Sequence, residues 1–140
     1  MCGIVGFINT RQNDLESICN DMVSKLHHRG PDYSSVWVNK EYRVALGHAR
    51  LSILDLSSAG HQPMQSSCGR YVISFNGEIY NHLQLRKEIV LSGYSGFWNG
   101  HSDTETLLAA ISIWGIKKAL IKSVGMFALA LWDIKEKKII

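Results

Sequence analysis

The period of the apolar positions changes several times along the chain, and each change marks an element. Cys2 to Asn9 is a short apolar run punctuated by Gly3 and Gly6, which predicts a buried strand. Leu15, Ile18, Cys19, Met22, Val23 and Leu26 then recur at helical spacing behind a cap at Asn13-Asp14. Arg29-Gly30-Pro31-Asp32 stops that helix, because a proline disfavours helical backbone in the residue before it. Strands follow over Tyr33–Val38 and Arg43–Ile53, around a polar turn at Asn39-Lys40-Glu41, and Asp55 to Gln65 reads as loop. Arg70 to Phe75 reads as a strand broken by Asn76-Gly77, the dipeptide most typical of a tight hairpin. One helix runs from a cap at Asn81 through Leu91 to a stop at Gly93. Another opens on the capping box Ser102-Asp103-Thr104-Glu105, ahead of Leu107, Leu108, Ile111 and Trp114. From Met126 to Trp132 both alternating faces are apolar, Phe127, Leu129 and Leu131 on one, Met126, Ala128, Ala130 and Trp132 on the other. Both faces of that strand must therefore be covered. A turn over Asp133–Lys138 leads to Ile139-Ile140, the start of a further strand, so the chain reads as truncated at its C-terminal end. Doubly buried strands with three or four amphipathic helices predict a layered α+β sandwich, helices outside and sheets inside.

Composition narrows the partners. The 140 residues, 46% of them hydrophobic, suit one domain. A formal net charge of +3, with no basic cluster beyond Lys135, Lys137 and Lys138, is too weak for a nucleic-acid surface. No run approaches the ~18 apolar residues of a membrane span, and no basic segment precedes Cys2 as in a signal peptide. Cys2, Cys19 and Cys68 are odd in number and lack a C-x-x-C spacing, which points to a reduced, cytoplasmic chain without disulfides or structural zinc. The six histidines add no metal-ligand spacing.

Position 2 carries the sharpest chemistry. Removal of Met1 would leave Cys2 with a nucleophilic sulfur and a free α-amine on one residue. That amine titrates at about 7.7–8.0 and a thiol at about 8.5, so moving the thiol proton to the amine costs only about 1 kcal/mol. A terminal cysteine can thus bring its own base. The plain alternative is a small buried hydrophobe on the first strand.

The remaining motifs favour the chemical reading. Met1-Cys2-Gly3-Ile4-Val5-Gly6 is followed by His28-Arg29-Gly30-Pro31-Asp32 and by Leu46-Gly47-His48-Ala49-Arg50-Leu51-Ser52-Ile53, which runs into Asp55-Leu56-Ser57. Then come Gln62-Pro63-Met64, Phe75-Asn76-Gly77-Glu78-Ile79-Tyr80-Asn81, Ser102-Asp103-Thr104-Glu105, and Gly125-Met126-Phe127-Ala128 with Leu131-Trp132-Asp133. In this order, over essentially the whole chain, the sequence resembles the class II glutamine amidotransferase domain, in the branch of the glutamine-hydrolysing asparagine synthetases. The resemblance implies the N-terminal nucleophile αββα four-layer sandwich, C-terminally truncated, with residues 1–140 forming a partial amidotransferase domain.

The resemblance also implies roles. Cys2 would attack the side-chain amide of L-glutamine, pass through a thioester, and release ammonia and then glutamate. Asn76 and the backbone of Gly77 would form the oxyanion hole. Arg50 would grip the α-carboxylate, Leu51, Ser52, Ile53 and Leu54 would line the pocket, and Glu78 and Asp103 would face the α-ammonium. Arg29 and Gly30 would brace the loop beside Cys2. His48 and His101 receive no catalytic role, and the four tryptophans read as packing. No metal or cofactor is implied for this domain. Mg-ATP belongs to a C-terminal ATP-dependent synthetase domain that would receive the ammonia. Aspartate is the default acceptor, and a sugar acid is an alternative. A non-catalytic glutamine-binding or assembly fragment is the second reading, and homo-oligomer formation is left open.

Overall fold

In a computed structural model, the described residues are 2–8, 11, 14–52 and 57–140. Two antiparallel sheets stack between helical layers. The first contains β1 (Gly3–Ile8), β2 (Tyr33–Asn39) and β3 (Val44–Arg50) in the order β1-β3-β2. The second contains β4 (Met64–Gln65), β5 (Tyr71–Ile79), β6 (Gly125–Asp133) and β7 (Lys138–Ile139) in chain order. Helix α1 (Leu15–Ser24) covers the first sheet. Helices α2 (His82–Leu91), α3 (Asp103–Trp114) and α4 (Ile116–Lys122) form the opposite outer layer, with α3 against β5. This is the predicted αββα arrangement.

The outer helix sits close because β3 is small on that side. Leu15, Cys19 and Val23 form the buried stripe of α1, and the Asp14 carboxylate accepts from the Ser17 N–H at 3.0 Å. A methyl placed on Gly47 would lie 2.4 Å from Val23 Cγ2 and 3.1 Å from Cys19 Sγ, so any larger residue there would push α1 away. Ala45 and Ala49 share that face with Gly47 by strand alternation.

The inward faces of β3 and β5 decide where the site lies. Along β3 they read Val44, Leu46, His48, Arg50, and along β5 Val72, Ser74, Asn76, Glu78. Both run from apolar to polar in the same direction. At the apolar end Val44, Leu46, Val72 and Trp132 close the space between the sheets. A thin bridge follows, where Ser74 Oγ donates to the Gly47 carbonyl at 2.9 Å. At the polar end the layer is open. Met126 of β6, expected to be covered, is instead 76% exposed there, where it borders the open end.

Asn76-Gly77 does not break the strand as expected. β5 continues to Ile79 and pairs with β6 throughout, with Asn76 opposite Ala128 and Gly77 opposite Phe127. A two-residue hairpin needs the chain to reverse, whereas here only Gly77 departs, to a positive φ of 151° that favours glycine. Asn81 precedes α2 but makes no side-chain cap. Its amide donates to the Lys122 carbonyl and accepts from the Val124 N–H, each at 2.9 Å, tying α2 to the α4–β6 connection. The Ser102 half of the capping box forms, Oγ accepting from the Glu105 N–H at 3.2 Å. The Glu105 carboxylate accepts from the Asn99 and Gly100 N–H groups and from Arg86 of α2. Arg86 also donates to Thr106 Oγ1 and lies 3.9 Å over the Trp98 ring, so the start of α3 is held in place.

Candidate active site

The open end of the inter-sheet layer is a cavity of about 310 Å³. Cys2, Arg50, Leu51, Asn76, Gly77, Glu78 and Asp103 line it, seven of the sequence-predicted residues drawn from four separated segments. Cys2 stands just before β1 and is half-buried. Its sulfur accepts from the Leu51 N–H at 3.3 Å and lies 3.6 Å from the Leu51 carbonyl. Arg29 Nε donates to the Cys2 carbonyl at 3.2 Å. Gly30 is buried under β3, where an added methyl would meet the Ala49 carbonyl oxygen at 2.2 Å. Arg29 and Gly30 therefore shape the backbone around Cys2 without lining the cavity. Ser52 also stands outside the lining, its N–H donating to the Asp32 carboxylate at 2.7 Å. Ile53 and Leu54 lie outside the described residues.

Arg50 is 5% exposed at the end of β3, not a surface charge, and its Nη1 donates to the Ser57 carbonyl at 2.9 Å. Asp103, also 5% exposed, is the first residue of α3. Its Oδ2 accepts from the Ile79 N–H at 2.9 Å and its Oδ1 from the Thr104 N–H at 2.8 Å. With Glu78 at the rim, the cavity holds one guanidinium and two carboxylates, the complement of a zwitterionic amino-acid head group.

The direction of the Gly77 N–H follows from the ladder. Tyr71, Phe75 and Ile79 each send their N–H away from β6, to Ser66 Oγ, Gln62 Oε1 and Asp103 Oδ2. The register runs unbroken from Tyr71 to Ile79, so Gly77, of the same parity, directs its N–H to that outer edge as well. That edge borders the cavity.

Gly60, Gln62, Phe75, Tyr80, Ser102, Thr104 and Met126 complete the lining and were not predicted as site residues. All of these but Gly60 stand inside the motifs that carry the family resemblance, and that was the available signal. The loop carrying Gly60 and Gln62 is fastened by Arg50 and by His61, whose ring stacks on Tyr33 with centroids 3.7 Å apart. The Ser35 hydroxyl also donates to the Gln62 carbonyl. Burial pushes the His61 imidazole below its ordinary value, helped by Arg50. The cysteines differ sharply: Cys19 is fully buried and its thiol is pushed up to about 11 by that burial, whereas Cys2 borders the cavity. Among the described residues no three His, Cys, Asp or Glu side chains gather as metal ligands, and no helix is long and apolar enough to cross a membrane.

The glutamine-hydrolysing asparagine synthetase 1 of Bacillus subtilis is 40% identical over 137 residues, covering 95% of this chain and 21% of that protein. Amidase chry2 of Gibberella zeae is 32% identical over 152 aligned positions, covering 100% of this chain and 22% of its own length. The chain thus spans about a fifth of these relatives. Among solved structures, glutamine phosphoribosylpyrophosphate amidotransferase of Bacillus subtilis shares the fold at a TM-score of 0.67 and 20% identity, over 95% of this chain and 35% of that one. The family model for the glutamine amidotransferase domain matches residues 1–140, from the cysteine beside the cavity to the last strand. By that match the chain belongs to the glutamine amidotransferase domain family.

Proposed function

We propose that this domain hydrolyses the side-chain amide of L-glutamine to glutamate and ammonia, with Cys2 as nucleophile. One observation carries the reading: a sulfur, an inward-facing amide, an edge N–H, a guanidinium and two carboxylates from distant segments border a single cavity. Arg50 would hold the α-carboxylate, and Asp103 and Glu78 the α-ammonium, leaving the substrate amide toward Cys2. After loss of Met1 the α-amine takes the thiol proton, and the sulfur bonds to the amide carbon. The carbonyl oxygen gains the negative charge between the Asn76 side chain and the Gly77 N–H. Collapse of that adduct breaks the C–N bond, and the departing nitrogen takes the proton and leaves as ammonia. Water then attacks the thioester, releasing glutamate and restoring the thiol. No step needs a cofactor in this domain.

We further propose that the ammonia is passed to an ATP-dependent synthetase domain using Mg-ATP, with aspartate as acceptor and cytoplasmic residence; the relatives named as glutamine-hydrolysing asparagine synthetases support the asparagine assignment. A relative of similar identity is named an amidase and not an asparagine synthetase, so an acceptor other than aspartate, such as a sugar acid, is kept as a second reading. The test is glutamate formation from glutamine, with Cys2→Ala as control and mass spectrometry to confirm loss of Met1. Glutamate formation that survives Cys2→Ala, or none from a demethionylated wild-type protein, overturns the proposal.

A further inference from the structure

Among the described residues, the outer edge of β5 has no neighbouring strand where it borders the cavity. β4 pairs with Val72 and Ile73, and beyond them Phe75, Gly77 and Ile79 turn their backbone groups to an edge that no strand among the described residues covers. Side chains from other parts of the chain fill that gap. Gln62 Oε1 accepts from the Phe75 N–H at 2.6 Å, and His48 Nε2 donates to the Phe75 carbonyl at 3.0 Å. Asp103 takes the next N–H but one, at Ile79. Gly77 stands between the two occupied positions.

Both groups on Phe75 are built in firmly. Gln62 is 7% exposed, and its Nε2 donates to Thr104 Oγ1 at 3.3 Å while its backbone carbonyl accepts from Ser35. One side chain therefore joins β5 to the start of α3, which carries Asp103. His48 is fully buried. Burial lowers its pKa to about 4, against the pull of the Phe75 carbonyl and with the help of Arg50. The Phe75 carbonyl can only accept, so the buried neutral ring is the Nε2–H tautomer, a fixed donor to Phe75, and among the described residues Nδ1 meets no hydrogen-bond partner.

We propose that Gln62 and His48 are positioning residues: by gripping the N–H and the carbonyl of Phe75 they fix the Gly77 N–H as the single backbone donor on this stretch of edge. The inference rests on the glutaminase reading of the cavity. The physical reason is register. Without the Gln62 oxygen, the Phe75 N–H becomes a second donor about 7 Å along the strand from that of Gly77. A substrate carbonyl can then settle on the wrong one. Looser anchoring of Phe75 also lets Gly77 drift beyond the roughly 0.5 Å that a preorganised site tolerates.

The test compares Gln62→Met, which keeps length but removes the acceptor, with Gln62→Glu, which keeps an oxygen for Phe75. In Gln62→Met, kcat for glutamine falls about tenfold to a hundredfold, below the full value of an oxyanion donor, while KM stays within about threefold. The Gly77 amide resonance moves in nitrogen-15 spectra, and the Phe75 amide loses protection from exchange. Gln62→Glu restores both the amide shifts and most of kcat. A variant that is less stable but keeps the wild-type kcat and an unmoved Gly77 resonance has lost only packing, and that overturns the proposal. If Gln62→Met does not fold, Thr104→Val frees only the far end of Gln62, and the same Gly77 shift decides. If the wild-type protein forms no glutamate, the glutaminase reading fails by itself, and the clamp still stands or falls on the Gly77 resonance.

Discussion

Replacing Gly77 by alanine adds one methyl at the tightest point of the β5–β6 ladder. That methyl would lie 2.3 Å from the Met126 carbonyl oxygen and 2.5 Å from Phe127 Cα. Both neighbours are backbone of β6, so no side chain can swing away. Ordinary contact begins at 3.4 Å, so the strands must part locally by about 1 Å. An alanine at a φ of 151° adds strain of about 1–3 kcal/mol, and overpacking adds about 1–3 kcal/mol more. A displacement of about 1 Å exceeds what an oxyanion donor tolerates, and losing one such donor costs about a hundredfold to a thousandfold in kcat. The control is Gly93→Ala. Gly93 has a positive φ of 93° but nothing within 4 Å of the added methyl, so it pays backbone strain without a clash. Urea unfolding and steady-state glutaminase assays separate the effects. Both variants lose stability, and Gly77→Ala alone loses kcat beyond its unfolded fraction. Equal kcat losses in the two variants, or an unchanged kcat in Gly77→Ala, would refute the placement of the donor.

Two further outcomes follow from the charged groups. Arg50→Lys keeps the charge but not the planar fork, and loss of one charge-assisted hydrogen bond of about 1.5–3 kcal/mol raises KM for glutamine about tenfold to a hundredfold. Alkylation of Cys2 by iodoacetamide, which has no head group to bind, proceeds at the wild-type rate, and a parallel loss there would count against the role of Arg50. At the far end of β6, Arg70 donates to Asp133 at 3.0 and 2.7 Å and holds its carboxyl below the usual range, aided by the Glu136 and Lys135 N–H groups and opposed by burial. Since the folded pKa is the lower one, the unfolded chain takes up the proton first. This stabilisation is complete above pH about 4 and is lost as pH falls through the folded value. Asp133→Asn lowers stability by about 1–3 kcal/mol at pH 7 and flattens the acid limb of a stability–pH curve, and an unchanged acid limb would contradict the pairing as its source.

The legible part of this protein is the part written in short periods. Alternation along β3 and β5 puts Val44, Leu46 and Val72 on the same face as Arg50, Asn76 and Glu78. The passage from apolar to polar along both strands already says which end of the sandwich stays open. Cys2 reaches that end because β1 runs antiparallel to β3, with Gly3 opposite Ala49. Two features escaped for different reasons. Asn76-Gly77 carries a strong local turn signal, but pairing along nine residues of β6 overrode it, and the glycine serves close approach instead of reversal. Gln62 escaped because its value lies in distance along the chain: it meets Phe75 thirteen positions on and Thr104 forty-two positions on. No periodicity records such a contact. Buried amides of this kind are visible only once the strand edge they complete is known, so a search for unpaired strand edges beside a cavity would find them where motif reading does not.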